Sequence, residues 1–315
     1  MEKTKNRILI IVFKGIGDVI LTTPLVKALK NANPDNEIYF LTKKFAATIL
    51  LKNPNIKEIL IRENNPALEI LRERFDIAID YMLSTSSLYY VFLSRARKRI
   101  SFYRPWYKLF YNQMVQTDYD GYTVNKRFEL LKPLNLYNAN LEIKPEIYLS
   151  EEERKEIGNI LNINGIKKTD KIATFDITSP RAYRQLSGDK FAAIADFVSE
   201  LGYKVIFHPG PGEEEYVYEN AKKCKAVHLI LQKLNLRQLA ALISNSSIHI
   251  GTSSAPMHIA VSFNVPTFTI YSPYTNPLCW SPPSKNHSWI QGELNKLEVK
   301  EITDKLYAFI KGANL

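Results

Sequence analysis

Short apolar runs and stretches of helical spacing alternate along this chain. Residues 7–31 read RILIIVFKGIGDVILTTPLVKALKN: an unbroken apolar run over 8–13, an interruption at Lys14-Gly15-Ile16-Gly17-Asp18, then helical periodicity. A run so short and so rich in Ile and Val predicts a strand buried on both faces of a parallel sheet. Further strands are predicted over 37–42, 56–61 and 75–81, with a helix over 67–74. Residues 122–136 predict an amphipathic helix stopped by Pro133, and the looser stretch 137–148, which contains Pro145, reads as a linker region. Ser150-Glu151-Glu152-Glu153 is a capping box that opens a helix to about Leu161. The pattern then repeats, with strands over 171–178, 204–208, 226–231, 248–251 and 265–271 and helices over 190–201, 213–223 and 236–243. Strands alternating with helices at this spacing mean βαβ units. The expectation is an α/β chain of two doubly wound halves, 1–148 and 149–315, with a cleft between them.

Two breaks in the pattern carry candidate chemistry. At 14–18 two glycines permit a tight turn and close approach of backbone to a ligand. Asp18 falls at the carboxyl end of the strand, where open α/β sheets place their chemistry; it is equally a residue type that caps helices. The glycines do not spell a dinucleotide fingerprint, because Ile20 stands three beyond Gly17, and no GKS or GKT follows to make a P-loop. Pro24 after Thr22-Thr23 predicts a kink, or a helix restarting with Thr23 as cap. Asp80 closes another strand, facing either the ligand edge or solvent. The second break follows Gly251, where small hydroxyl residues lead into a helix with Pro256 in its first turn. Ser253 or Ser254 can cap that helix, whose exposed N–H groups and dipole suit a phosphate. His258 lies in the same first turn, either joining the anion site or serving structure.

Composition narrows the partners. A chain of 315 residues accommodates two domains, and 45% apolar with 23% charged residues is ordinary for a soluble protein. Cys224 and Cys279 form neither a disulfide framework nor metal-ligand spacing, and are expected as buried thiols in a reducing compartment. Lys3, Lys5 and Arg7 precede an apolar run as in a secretion signal, but Lys14 and Asp18 interrupt it too early, and no apolar stretch is long enough to span a membrane. The expected location is the cytoplasm. A net charge of +10 favours an anionic partner. Residues 95–108, RARKRISFYRPWYK, concentrate that charge with interleaved aromatics and no acid. They read as a solvated basic face, as a dock for an acidic acceptor or anionic bilayer, or as an RNA surface. No RNP, KH or helix-turn-helix signature accompanies them, which ranks nucleic acid last.

The opening FKGIGDVILTTPLVKALK and the later IGTSSAPMHIAVSFNVPTFTIYSP resemble glycosyltransferase family 9, the ADP-heptose–lipopolysaccharide heptosyltransferases and their relatives. NLRQLAALI, GPGEEE and YTVNKRFELLKPLNL fall where the family has similar blocks, so the resemblance runs nearly end to end. It implies a GT-B fold whose N-terminal domain (1–148) takes the acceptor and whose C-terminal domain (149–315) takes the nucleotide-sugar, with no metal and no cofactor beyond an ADP-sugar as substrate. It further implies Asp18 as catalytic base and Arg184 at the place of a phosphate-binding lysine. Thr252, Ser253, Ser254 and Ala255 would hold the diphosphate, Met257 and His258 match a Met-His pair, and Glu213 would lie near the nucleotide. On the acceptor side it implies Lys14, Gly17, Asp80, Arg97, Arg99 and Arg104, meeting an anionic glycolipid at the inner leaflet, with peripheral membrane contact and no nucleic acid. The sequence departs from the family where Ser253-Ser254-Ala255 replaces an acid-led block and Leu186-Ser187 replaces Trp-Pro. That leaves a different nucleotide-hexose donor, or a binding protein without turnover, as alternatives to an inverting heptosyltransferase.

Overall fold

The computed structural model describes residues 5–138, 143–179, 181–313 and 315. The chain divides into two compact units, Met1–Tyr148 and Leu149–Leu315. In unit 1 the strands are β1 (Arg7–Val12), β2 (Glu37–Thr42), β3 (Glu58–Ile61), β4 (Ile77–Asp80), β5 (Lys98–Phe102) and β6 (Gln113–Val115), in the order β3-β2-β1-β4-β5-β6 and all parallel. Unit 2 builds the same sheet from β7 (Ile172–Asp176), β8 (Lys204–Phe207), β9 (Leu229–Ile230), β10 (Ile248–Thr252), β11 (Thr267–Tyr271) and β12 (His287–Gln291), read from the other edge as β9-β8-β7-β10-β11-β12. This is the doubly wound order of dinucleotide-binding folds, in which strand order reverses once. The reversal falls between β1 and β4 in unit 1 and between β7 and β10 in unit 2.

Burial explains why the central strands read so clearly. Ile8 to Val12 are fully buried, as are all five residues of β7, β10 and β11, because helices cover both faces of each sheet. The core of unit 1 gathers Leu9, Ile11, Tyr39 and Leu41 with Ile70, Tyr90 and Tyr111. In unit 2, Phe175, Phe207, Ile250 and Phe268 pack against Phe191 and Ile194 of the helix Gly188–Glu200 and against Leu306 and Ile310 of Val299–Gly312. Gly251 is required where β10 passes β7: a Cβ there would lie 2.6 Å from the Asp176 carbonyl oxygen.

Several expectations are corrected. Residues 122–136 are not one α-helix. Thr123–Phe128 is α-helical and Glu129–Leu134 tightens into a 3₁₀ helix, so Pro133 is accommodated inside the turn instead of stopping it. The basic stretch 95–108 is not one loop: it contains β5, with Arg99 half-buried and Arg95, Arg97, Arg104 and Lys108 exposed. Part of the expected linker, 139–142, lies outside the described residues, while Glu146 is packed on unit 1. Its N–H donates to Thr23 Oγ1 (2.9 Å) and its carboxylate pairs with Lys27. Thr22, not Thr23, flanks the helix Thr23–Ala32, with Pro24 in its first turn.

Candidate functional site

Both reversal points carry polar clusters at the carboxyl ends of their strands. In unit 1 the helix Ile16–Ile20 starts from Gly15, so Asp18 is its third residue and not its cap. Asp18 Oδ1 pairs with the guanidinium of Arg127, which also donates to the Asp18 carbonyl and, at 2.9 Å, to Thr22 Oγ1. The Arg127 side chain is 0% exposed, whereas that of Asp18 is 18% exposed. Oδ2 of Asp18 accepts no hydrogen bond among the described residues. One oxygen is therefore anchored and the other left open. Tyr81, just after β4, lies under two cations, 4.1 Å from the Arg127 guanidinium and 4.7 Å from Lys14 Nζ. Gly15 has φ −68°, and a Cβ there would meet nothing nearer than Asp18 Oδ2 at 4.0 Å. The backbone does not demand glycine at that position, and its bareness keeps the turn open beside the carboxylate.

The other acceptor-side expectations fare unevenly. Asp80 is fully buried; its carboxylate accepts from Tyr111 Oη (2.5 Å) and Met82 N–H (2.6 Å). Burial raises its pKa against those hydrogen bonds. Its carboxylate is committed to these internal hydrogen bonds. Arg99 is likewise occupied: its side chain donates to the carbonyls of Phe110 (2.6 Å) and Ala96 (3.0 Å). Arg97 precedes β5 and lines a cavity of about 450 Å³ with Asn6, Asn36 and Asp76, at the amino ends of the strands and away from Asp18. Arg104, after β5, and Lys14, after β1, are exposed, and Gly17 is half-buried.

In unit 2 the last residue of β7, Asp176, is fully enclosed beside β10. Its Oδ2 accepts the Ser254 hydroxyl, and its Oδ1 takes the Thr178 N–H (3.3 Å) and hydroxyl (3.2 Å). The Thr178 hydroxyl donates more closely to Glu213 Oε2 (2.5 Å), which also accepts the Gly210 N–H (2.9 Å). Burial, helped by the charge of Glu213, pushes the Asp176 carboxyl up to about 6 against the hydrogen bonds from Ser254 and Thr178. Ser254 is the N-cap residue of the helix Ala255–Ser262, yet it makes no side-chain cap. Its hydroxyl is spent on Asp176, so the first-turn N–H groups keep no internal acceptor from it. Ser253 is half-buried nearby, and Arg184 Nε, buried, finds no hydrogen-bond partner among the described residues. No carboxylate lies within ion-pair distance of Arg184 among the described residues. Tyr271 connects the two: burial raises its pKa, while Ser253 and the charge of Arg184 act on its hydroxyl in the opposite sense.

Three of the expected donor residues are buried. The buried Thr252 hydroxyl donates to the Thr178 carbonyl (3.0 Å), and the Met257 side chain is fully buried. His258 is buried with its ring 6.0 Å from that of Trp280. The sequence reading missed Arg127, Tyr81, Asp176 and Thr178. Asp176 carried the signal that singled out Asp80, an acid closing an apolar strand; Arg127 carried none, because it sits in an ordinary helical pattern. Among the described residues one group could offer ligands to a metal: Asp196, Cys224 and His228, with ligand atoms within 4.8 Å of one another. It lies at the amino end of β9, away from the polar cluster. Asp196 there already accepts the N–H groups of Lys225 (2.8 Å) and Ala226 (3.1 Å).

The family model of glycosyltransferase family 9 (heptosyltransferase) matches residues 67–309. Lipopolysaccharide heptosyltransferase 3 of Escherichia coli is 26% identical over 293 residues, covering 86% of this chain and 84% of that protein. Among solved structures, a family 9 glycosyl transferase from Veillonella parvula DSM 2008 superposes with a TM-score of 0.89 at 21% identity, covering 99% of both chains. The ADP-heptose lipopolysaccharide heptosyltransferase II of E. coli superposes at 0.82 and 17% identity, covering 98% of this chain and all of that one.

Proposed function

The chain belongs to glycosyltransferase family 9, the heptosyltransferases, and on that premise we propose that it moves a heptose from an ADP-activated donor to a lipopolysaccharide core acceptor, inverting the anomeric carbon and using no metal ion. The observation that carries this reading is Asp18 at the β1/β4 reversal, with Oδ1 held by Arg127 and Oδ2 open. A base needs its proton-accepting atom fixed and unoccupied within hydrogen-bond reach of the substrate. The acceptor hydroxyl oxygen attacks the anomeric carbon, its proton passes to Asp18 Oδ2, and the sugar–phosphate bond breaks with its electrons leaving on ADP. A single displacement inverts the centre. The uncapped start of the helix Ala255–Ser262 and Arg184, which has no carboxylate partner among the described residues, support unit 2 as the place where the diphosphate charge is met. Glu213, held by Thr178 and Gly210, would lie beside the nucleoside. Arg104 and Lys14, exposed and without an acidic partner among the described residues, would meet acceptor phosphates, and the lipid acceptor would bring unit 1 to the cytoplasmic face of the membrane.

Ser253 stands where the family resemblance implies an acid, and this favours one second reading: the same displacement with another nucleotide-hexose. Calorimetric titration with ADP-heptose and with competing nucleotide-hexoses separates the two. The test of the chemistry is Asp18→Asn. The amide oxygen still accepts from Arg127, so the protein is expected to fold while transfer falls by about 10²- to 10⁴-fold. A folded variant turning over near the wild-type rate removes Asp18 as the base.

A further inference from the structure

We propose that the loop joining β5 to β6, together with the exposed side of the helix Thr85–Leu93, is a membrane-insertion face, with Trp106 and Leu109 entering the acyl boundary of an anionic phospholipid bilayer. Trp106 and Leu109 are each 89% exposed, three residues apart, and Phe110 follows at 42%. On the helix Thr85–Leu93, Phe92 is 76% exposed and Tyr89 51%. The two segments share one side of the sheet: Tyr90 and Val91 of the helix and Tyr111 of the loop belong to one core cluster, with Tyr107 packed against it. Arg99 ties them directly, donating to the carbonyls of Ala96, just past the helix, and of Phe110 in the loop. Asn112 repeats the link, accepting the Arg99 N–H (2.9 Å) and donating to the Arg97 carbonyl (2.7 Å). With Tyr107 and Tyr111 anchored below, the apolar side chains are held outward on a braced surface.

Charge identifies the occupant. From 81 to 117 the chain carries no Asp or Glu, while Arg95, Arg97, Lys98, Arg99, Arg104 and Lys108 all lie within it. Arg95, Arg104 and Lys108 are exposed, and none has an acidic partner among the described residues. Bulky apolar side chains rimmed by unpaired cations suit the headgroup region of an anionic bilayer, where the rings and Leu bury while Arg and Lys meet lipid phosphates. A protein partner would leave this uniform positive rim to be matched by an equally uniform acidic one. The inference deepens the membrane contact proposed above, but its test uses neither donor nor acceptor, so it stands or falls apart from sugar transfer.

The experiment is co-sedimentation of the full chain with vesicles of phosphatidylglycerol and phosphatidylethanolamine, against vesicles of phosphatidylcholine. Binding to the anionic vesicles is expected. Trp106→Ser and Leu109→Ser are each expected to weaken it by roughly tenfold, with unchanged thermal melting because both sites are exposed. Quenching of tryptophan emission by brominated lipid is expected in the wild type and lost in Trp106→Phe. Binding that high salt abolishes and that both Ser variants retain in full would mean surface attraction without insertion, and overturns the proposal. So does failure to bind anionic vesicles, or a Trp106-dependent self-association seen in their absence.

Discussion

Asp176 shows how one residue can serve a site at a cost to the fold. Its carboxyl titrates near 6, above the ordinary 3.8, because it is enclosed beside β10 and near Glu213. A carboxyl with a raised folded-state pKa lends stability that is complete below 3.8 and lost as pH rises through 6. At pH 7.5 the ionised form therefore burdens the fold by about 3 kcal/mol. Asp176→Asn is expected to recover much of that burden at pH 7.5, with the gain shrinking towards zero near pH 4, in denaturant titrations at both pH values. The same variant replaces a charged acceptor of the Ser254 hydroxyl by a neutral amide and so loosens the start of the helix Ala255–Ser262; the donor KM is expected to rise more than kcat falls. A variant neither stabilised at pH 7.5 nor altered in donor KM removes both roles. The placement of Asp18 was legible at this scale because a glycine turn after a buried strand has few uses. Its dependence on Arg127 was not, since the two are 109 residues apart and only folding brings them together.

Among elements, those buried on both sides announced themselves. β1 and β7 read as strands because covered faces select unbroken apolar runs. The helix Thr85–Leu93, TSSLYYVFL, did not: its outward positions Tyr89 and Phe92 are apolar too, so no amphipathic period survives. β5 was hidden for the opposite reason, since Lys98 and Arg99 make its amino end look like a charged loop. Both failures fall on the face proposed to enter the bilayer, where ordinary rules of inside and outside do not apply. Close packing between elements gives a sharper expectation at Gly251. A Cβ there would sit 2.6 Å from backbone of β7, which no rotamer change can relieve. Gly251→Ala is therefore expected to lose 1–3 kcal/mol, roughly, by forcing β10 and β7 apart. The measured Tm should fall by several degrees, and an unchanged Tm would mean that this strand pair has slack.

At the scale of the molecule the two units repeat one sheet but differ in how they respond to acid. All five histidines, at 208, 228, 249, 258 and 287, lie in Leu149–Leu315. Burial pushes His208 and His287 down to about 4, and holds His249, stacked on His208 with ring centres 5.9 Å apart, well below its usual range. A histidine with a depressed folded-state pKa contributes stability that is present above its unfolded value of 6.5 and lost as pH falls towards 4. Asp176 runs the other way over part of this interval, but one carboxyl does not offset three neutral imidazoles. Unit 2 is thus expected to weaken between pH 6.5 and 4 while unit 1, which has no histidine, holds. The three tryptophans allow a test in the full chain: Trp106→Phe leaves only Trp280 and Trp289, both in unit 2. On acidification from pH 7 to 4, emission from that variant is expected to lose its folded signature before far-ultraviolet circular dichroism has lost the helices and strands of unit 1. Coincident loss of the two signals would mean that the units unfold as one body.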